Sequence, residues 1–288
     1  MTTALTYRHM TRPEVDILVS WAADEGWNPG LHDAEPFWVN DPDAFIAAER
    51  EGELIGGGSI TAYGDEYGFM GFFIVRPEFR GRGWGDQIWH ERLRRMKARL
   101  KGGASIGLDG VFDMQGYYAK GGFVFSHRNL RCQAEIPVDY CPPPEPLVVP
   151  LQTVPFEQVA AYDRACFPAE RTRFLEQWIG QPDCLSLGYL RDHQLAGFGV
   201  IRRCGVGCKI GPFFVDNAKV GDALYRHLAT FAAGTSLFLD VPENNRAAMA
   251  LVKRYDMAEV FGCARMYIGP VPDIAHERVF GVTTFEAG

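Results

Sequence analysis

The chain carries an internal repeat, and that repeat limits its architecture more than any other feature. "REGELIGGGSI" from Arg50 matches "RDHQLAGFGVI" from Arg191, with Leu54 on Leu195, Gly56 on Gly197 and Gly58 on Gly199 at a constant offset of 141 residues. "GFFIV" from Gly71 keeps that offset in "PFFVD" from Pro212. Further on, "GWGDQIW" from Gly83 is echoed by "KVGDALY" from Lys219, "GLDG" around Asp109 by "FLDV" around Asp240, and "RC" at Arg131 by "RM" at Arg265. One such pairing would be chance, but five in the same order point to a duplicated unit. At 288 residues the chain exceeds a typical single domain, which agrees with two copies. The division falls at "IPVDYCPPPEPLVVP", residues 136–150, where prolines remove backbone donors and favour a semi-rigid extended linker. The expected domains are 1–135 and 151–288, joined by 136–150.

Each copy reads as a helical N-terminal part, two strands, a glycine loop, a helix, a strand, a helix and a strand. Trp89, Leu93, Met96 and Leu100 place one apolar stripe on a helix that stops at Gly102-Gly103. The preceding "FMGFFIV" is a nearly continuous apolar run, as expected of a strand covered on both faces. The fold class is α/β with a mixed sheet, occurring in tandem.

Composition narrows the functions. Hydrophobic residues make up 47% and charged residues 23%, a folded globular balance. A formal charge of −7 argues against general nucleic-acid or anionic-membrane binding, so no nucleic-acid or membrane partner is expected. The seven cysteines are scattered, which suits reduced thiols. Cys204 and Cys208 lack the further ligands of a metal site and read as ordinary strand residues, so no metal is expected. The first 26 residues carry charges where a signal peptide needs an apolar core, and no run approaches the roughly 20 apolar residues of a membrane span. A cytoplasmic location follows as the expectation.

One stretch reverses this acidity. From Arg76 to Lys101 there are nine Lys/Arg against three Asp/Glu, centred on "VRPEFRGRGWGDQIW" at 75–89. A strand, a glycine loop and then a helix form an anion cradle, because glycines bare the backbone N–H groups and the helix N-terminus adds its dipole. Arg94, Arg95 and Lys97 read as a solvated helix face, whereas Arg80 and Arg82 lie inside the loop. No Gly-Lys-Ser/Thr follows, so the loop is not of the nucleoside-triphosphate type. A dinucleotide fold would explain Asp109, about 20 residues past the loop. Against it, "RPEFR" separates the strand from the glycines, and the loop comes late in its domain.

"VRPEFRGRGWG" resembles the acyl-CoA pyrophosphate loop of the GNAT superfamily of N-acyltransferases, Arg/Gln-x-x-Gly-x-Gly/Ala, on Arg80, Gly83 and Gly85. "YAKGGF" from Tyr118 resembles that superfamily's Tyr-Glu-Lys-x-Gly-Phe segment. In the second half, "DVPENNRAAMALVKRYDMAEV" and "ARMYIGP" resemble the YitH/HolE-type acetyltransferase domain that follows a GNAT domain in some bacterial proteins. The resemblance implies transfer of an acetyl group from acetyl-CoA to the primary amine of a small molecule. It implies a bulge in "FFIV" and a splay from the strand of Leu108, so that Phe73, Ile74 and Val75 pair with the pantetheine arm and their N–H groups face the thioester. Arg80, Gly81, Arg82, Gly83, Trp84, Gly85 and Asp86 would bind the pyrophosphate, and Tyr118 would protonate the departing thiolate.

The base and the acceptor pocket are less determined. The strand from Phe69 to Val75 holds no acid, a departure from family members with a glutamate there. Glu66, beside Asp65 in the preceding turn, and Asp109 are the remaining candidates; the recurrence of Asp109 as Asp240 speaks for a structural role instead. The early loop "ADEGWNPGLHDAEPFW" offers Trp27, Asn28, Asp33 and Trp38 to an amine, although a plain turn and core tryptophans would explain it equally. The absent strand glutamate leaves a non-catalytic acyl-CoA sensor as the alternative function, and a homodimer is also open.

The copies are unequal. Between the matched Phe214 and Gly221 the second loop is five residues shorter than between Phe73 and Gly85, "VDNAK" replaces the arginine cradle, and Val252 stands where Tyr118 does. The second half is therefore expected to have lost acetyl-CoA binding and to shape the acceptor site.

Overall fold

The computed structural model describes residues 4–288; the first three residues of the stretch weighed above as a signal peptide lie outside the described residues. The first half contains β1 (Thr6–His9), α1 (Arg12–Asp24), α2 (Ala34–Asn40), β2 (Phe45–Arg50), β3 (Glu53–Tyr63), β4 (Tyr67–Val75), α3 (Trp84–Arg99), β5 (Ser105–Val111), α4 (Gln115–Lys120) and β6 (Val124–Glu135). The second contains β7 (Val148–Pro150), α5 (Phe156–Cys166), α6 (Thr172–Ile179), β8 (Cys184–Arg191), β9 (Gln194–Arg203), β10 (Cys208–Val215), α7 (Ala218–Ala229), β11 (Ser236–Pro242), α8 (Arg246–Arg254), β12 (Ala258–Ile268) and β13 (Val279–Gly281). The expected helix after the glycine loop is α3, with Trp89, Leu93 and Met96 buried on one stripe.

The halves share one sheet, in the order β1-β2-β3-β4-β5-β12-β6-β11-β10-β9-β8-β7, with β13 added beside β10. The last long strand of each copy has crossed over: β12 pairs antiparallel with β5, and β6 with β11. The repeated Asp and Arg explain the exchange. Asp109 lies opposite Arg265 in the β5–β12 register, and Asp240 opposite Arg131 in the β11–β6 register. Both pairs are bidentate, at 2.6 and 2.8 Å for Arg265–Asp109 and 2.7 and 2.8 Å for Arg131–Asp240. A third buried pair, Arg202–Asp33 at 2.7 and 2.9 Å, ties β9 to the loop before α2. Removing either half would leave a buried charge without its partner, which is costly.

The proline-rich segment 136–150 is more ordered than a linker. Val148–Pro150 is itself a strand, β7, pairing with β8, and Ile136 is buried with its N–H donating to Thr235 O at 3.1 Å. Pro150 stands at the sheet margin, where a missing N–H costs no ladder bond.

Candidate active site

The two strands that frame the site start together and then part. β4 pairs in parallel with β5 only from Tyr67 to Phe69, against Ser105 to Gly107. On its other side β4 slips register against β3 between Gly71 and Ile74, opposite Ser59 and Gly57. This is a β-bulge, and Phe72 within it has a φ of 51°, a left-handed conformation that a bulky side chain adopts only where packing holds it. Phe72 is buried edge-on against Phe37, with ring centroids 5.6 Å apart. The expected bulge and splay are thus where "FFIV" placed them.

Arg92 fastens the bulge. This arginine of α3 is fully buried, lies against the bare backbone of Gly58, and donates from Nη2 to Ser59 O and Gly71 O, each at 2.6 Å. Among the described residues it has no carboxylate partner, and burial pulls its guanidinium down to about 10. Sequence reasoning passed over it among the exposed helix arginines; the signal that could have found it is its place on the Trp89–Leu93–Met96 face, where a charge needs a reason.

The splay opens a cavity of about 350 Å3. Met70 to Val75 form one wall, Leu108, Asp109 and Val111 the other, and Tyr118 with Trp89 the floor. Of the residues singled out in the sequence, Phe73, Ile74, Val75, Arg80, Tyr118, Asp109 and Trp27 line this one cavity. Tyr118 is 7% exposed and packed on Trp89 at 4.9 Å, and desolvation pushes its phenol up to about 12, so it stays protonated at neutral pH. Arg80 donates from Nε to Val75 O at 2.7 Å and pairs with Glu25 at the mouth.

The loop beyond Arg80 lies outside the cavity proper. Gly81 and Gly83 have φ of 73° and 78°, which only glycine adopts cheaply, and Gly83 caps α3 without a side-chain hydrogen bond. Among the described residues none of the N–H groups of Gly81, Arg82, Gly83, Trp84 and Gly85 donates to a backbone carbonyl. That set of free donors at a helix start fits an anion such as a pyrophosphate. The Trp84 side chain is core, however, against Phe79 at 5.7 Å and beneath Arg50 and Arg82, so only its backbone is available. Asp86 is exposed and accepts from Tyr117 Oη at 2.9 Å.

Other expected residues are placed elsewhere. Glu66 sits in the exposed β3–β4 turn, paired with Lys101 and outside the cavity lining, so the structure does not bring it to Tyr118. Asp109 reaches the cavity, but both its oxygens are taken by Arg265 and one also by Asn129 Nδ2 at 2.9 Å. The carboxylate is thereby engaged as the structural partner of Arg265 and Asn129, which corrects its reading as a base. Of the four acceptor candidates in the early loop only Trp27 lines the cavity, beside Glu25 of the same loop. Asn28 instead clamps Val206, through 2.8 and 2.9 Å bonds to its backbone; Asp33 is buried on Arg202; Trp38 stacks on Phe45 at 6.3 Å. These three are structural corrections to the acceptor-pocket expectation. The remaining walls come from the second half: Phe261 and Cys263 of β12, and Phe285 and Glu286 from segment 282–288. Nothing in their local sequence signals a site, because the strand exchange brings the first two here and the segment after β13 the other two.

The second half has the same frame, filled differently. β10 pairs in parallel with β11 from Cys208 to Ile210, then slips register between Ile210 and Phe213. In the gap that follows lies β13, with Phe213 opposite Gly281 and Phe214 opposite Val279.

A bulged strand splaying from its parallel neighbour, a glycine loop with unpaired donors at a helix start, and a buried phenol facing the opening define an acyltransferase domain. The chain belongs to the GNAT acetyltransferase family: a model described as "Acetyltransferase (GNAT) family" matches residues 12–123, and one described as "Acetyltransferase (GNAT) domain" matches residues 159–281. It is 28% identical over 282 residues to a holothin acyltransferase of Pseudoalteromonas sp., covering 96% of this chain and 92% of that one. It is also similar to an uncharacterized protein of Caenorhabditis elegans, 32% identical over 72% of this chain and 67% of the other. Among solved structures, a putative acetyltransferase from Pyrococcus horikoshii shares the fold with a TM-score of 0.83 at 22% identity, covering 100% of this chain and 97% of that one. A tandem GNAT protein from the clavulanic acid biosynthesis pathway shares it with a TM-score of 0.63 at 12% identity, over 93% of this chain and 100% of the other. The protein is an N-acyltransferase built from two GNAT domains.

Proposed function

We propose that the first half transfers an acetyl group from acetyl-CoA to the primary amine of a small molecule, by direct attack of the amine on the thioester. The observation that carries this reading is the free edge of β4 from Met70 to Val75, facing Tyr118 across one cavity. An extended amide chain such as pantetheine can add to that edge as a further strand. The N–H groups around Ile74 are the donors available to a carbonyl oxygen that gains charge. Gly81 to Gly85 offer backbone donors to the pyrophosphate, and Arg80 adds charge at the cavity mouth. Bound there, acetyl-CoA supplies an activated acyl carbon. Tyr118, protonated and desolvated, donates its phenolic proton to the sulfur that leaves.

The cavity volume of about 350 Å3, walled in by segment 282–288 and Trp27, supports an acceptor that enters whole, without a trailing polypeptide. The second half, with β13 filling its gap and its loop shortened, binds no acetyl-CoA and acts as a wall of the acceptor site. The test is thiol release from acetyl-CoA against a panel of amino acids, polyamines, aminoglycosides and a lysine peptide. Turnover with a small amine and none with the peptide supports the reading; turnover with the peptide alone overturns it.

A further inference from the structure

Three acids line the cavity: Glu25, Asp109 and Glu286. Glu25 is bound to Arg80 at the mouth, and Asp109 is locked by Arg265 and Asn129. Glu286 is different. It is 4% exposed, its Oε2 accepts from the Thr284 hydroxyl, and its Oε1 forms no hydrogen bond with any described residue. Glu286 thus offers the wall of the cavity a carboxylate with one oxygen that no described protein donor engages, open to a donor on a ligand.

The backbone around it is fixed. The Glu286 carbonyl lies against Gly71, where a Cβ would collide with it, and Tyr63 Oη donates to Ala287 O at 2.9 Å. Glu286 N donates to Thr284 Oγ1 at 3.0 Å. The far end of the second half is thereby held against the bulge of the first.

We propose that Glu286 is the general base of this cavity, taking the proton of the acceptor's ammonium group so that the free amine can attack. The proposal rests on the amine-acylation reading above. The ammonium gives one proton to the Glu286 carboxylate, which passes it to water. The nitrogen lone pair forms the N–C bond while the C–S bond breaks with its electron pair on sulfur. Sulfur takes the Tyr118 proton, and the second nitrogen proton restores the phenol. No other reactant is needed.

The electrostatic setting suits the task. Burial raises the Glu286 carboxyl above its ordinary value, Lys209 of β10 and Arg131 of β6 draw it back, and Asp33 and Asp240 of β11 add to the rise. A raised carboxylate sits closer to working pH, where a base is most effective. The strand glutamate missing between Phe69 and Val75 is replaced, in this account, by a residue more than two hundred positions later in the chain.

The experiment compares Glu286→Gln with the parent protein on two acceptors: an alkylamine, protonated at pH 7, and a weakly basic aryl amine or hydrazine, already neutral there. The variant is expected to lose about 100-fold or more in kcat/KM on the alkylamine at pH 7. It should recover about tenfold per pH unit as the alkylamine deprotonates, and change less than about threefold on the weakly basic acceptor. Acetyl-CoA affinity, measured by calorimetry, should stay unchanged. Equal loss on both acceptors means that Glu286 only shapes the cavity, and no loss on either means it is a bystander; each overturns the proposal. If the parent protein acylates neither acceptor while still binding acetyl-CoA, the amine reading itself falls. Should Glu286→Gln unfold, Glu286→Asp provides the same comparison, with a smaller loss confined to the alkylamine.

Discussion

The two halves build the same opening and fill it with different things. In the first, β4 and β5 part to leave a cavity of about 350 Å3; in the second, β10 and β11 part around β13, and a neighbouring cavity of about 160 Å3 remains. Both strands slip register in the same stretch, Gly71 to Ile74 and Ile210 to Phe213, two residues apart in the repeat alignment. The bulge therefore belongs to the duplicated frame and does not by itself make a site. What separates the halves is whether the parted edge is already paired. The strand that fills the second opening leads straight into segment 282–288, which completes the first, so one stretch of chain closes one site and walls the other.

The largest effect expected from this contrast is on chemistry. Tyr118→Phe should lower turnover by about 100-fold or more with acetyl-CoA binding intact, whereas Tyr117→Phe, which loses only the 2.9 Å bond to Asp86, should stay within a few-fold. Because the Tyr118 phenol is held up at about 12, the rate should not fall from loss of this acid anywhere below pH 10. Steady-state kinetics across pH checks both. Equal losses from the two variants would show packing, not proton donation.

Next come the crossed ion pairs, which the contrast treats as equivalent. Asp109→Ala and Asp240→Ala each leave a buried arginine unpaired and should cost about 3–5 kcal/mol by urea unfolding. An Asp109→Asn variant that kept full stability but lost turnover would return Asp109 to the chemistry and undo the equivalence.

These pairs also show what could be read from sequence. The repeated Asp and Arg were visible as letters, and so was the structural role of Asp109 through its copy. That Asp109 would meet the second half's arginine, and Asp240 the first half's, was not, because nothing in a repeat says whether its last strand stays home. The same limit hid the acceptor site. The glycine loop could be read from adjacent residues, and the bulge, splay and Tyr118 through the family resemblance that those local motifs carry. Phe261, by contrast, reaches the cavity only through the strand exchange, and Phe285 and Glu286 only through the segment that follows β13. Asn28 and Asp33 looked like ligand groups because polar side chains in an early loop serve equally well to bind a substrate or to fasten one half to the other.

A smaller effect is expected at the loop. Arg80→Ala should weaken acetyl-CoA binding by about 10- to 100-fold, the worth of one charge-assisted contact, without changing stability, since the side chain is half exposed. Lys219, in the shortened counterpart, should be silent when changed to Ala. Calorimetry should also give one acetyl-CoA per chain; two equal sites would break the comparison outright.

The smallest effect lies in the residual second cavity. His127 of β6 lines it, at the place where β12 carries Phe261 beside the first cavity. Burial, then Arg265 and His276, pull its imidazole from 6.5 down to about 3. The unfolded chain therefore takes up a proton below pH 6.5 that the native protein refuses until about pH 3. This contribution is intact above pH 6.5 and is lost as the pH falls through that window, at no more than about 1.4 kcal/mol per pH unit. His127→Phe, which gives the small cavity the residue type that Phe261 brings to the first, should flatten the decline in unfolding free energy between pH 6.5 and 4.5. An unchanged slope would mean that the small cavity opens readily enough to hydrate the ring, and that the second half is looser than its filled gap implies.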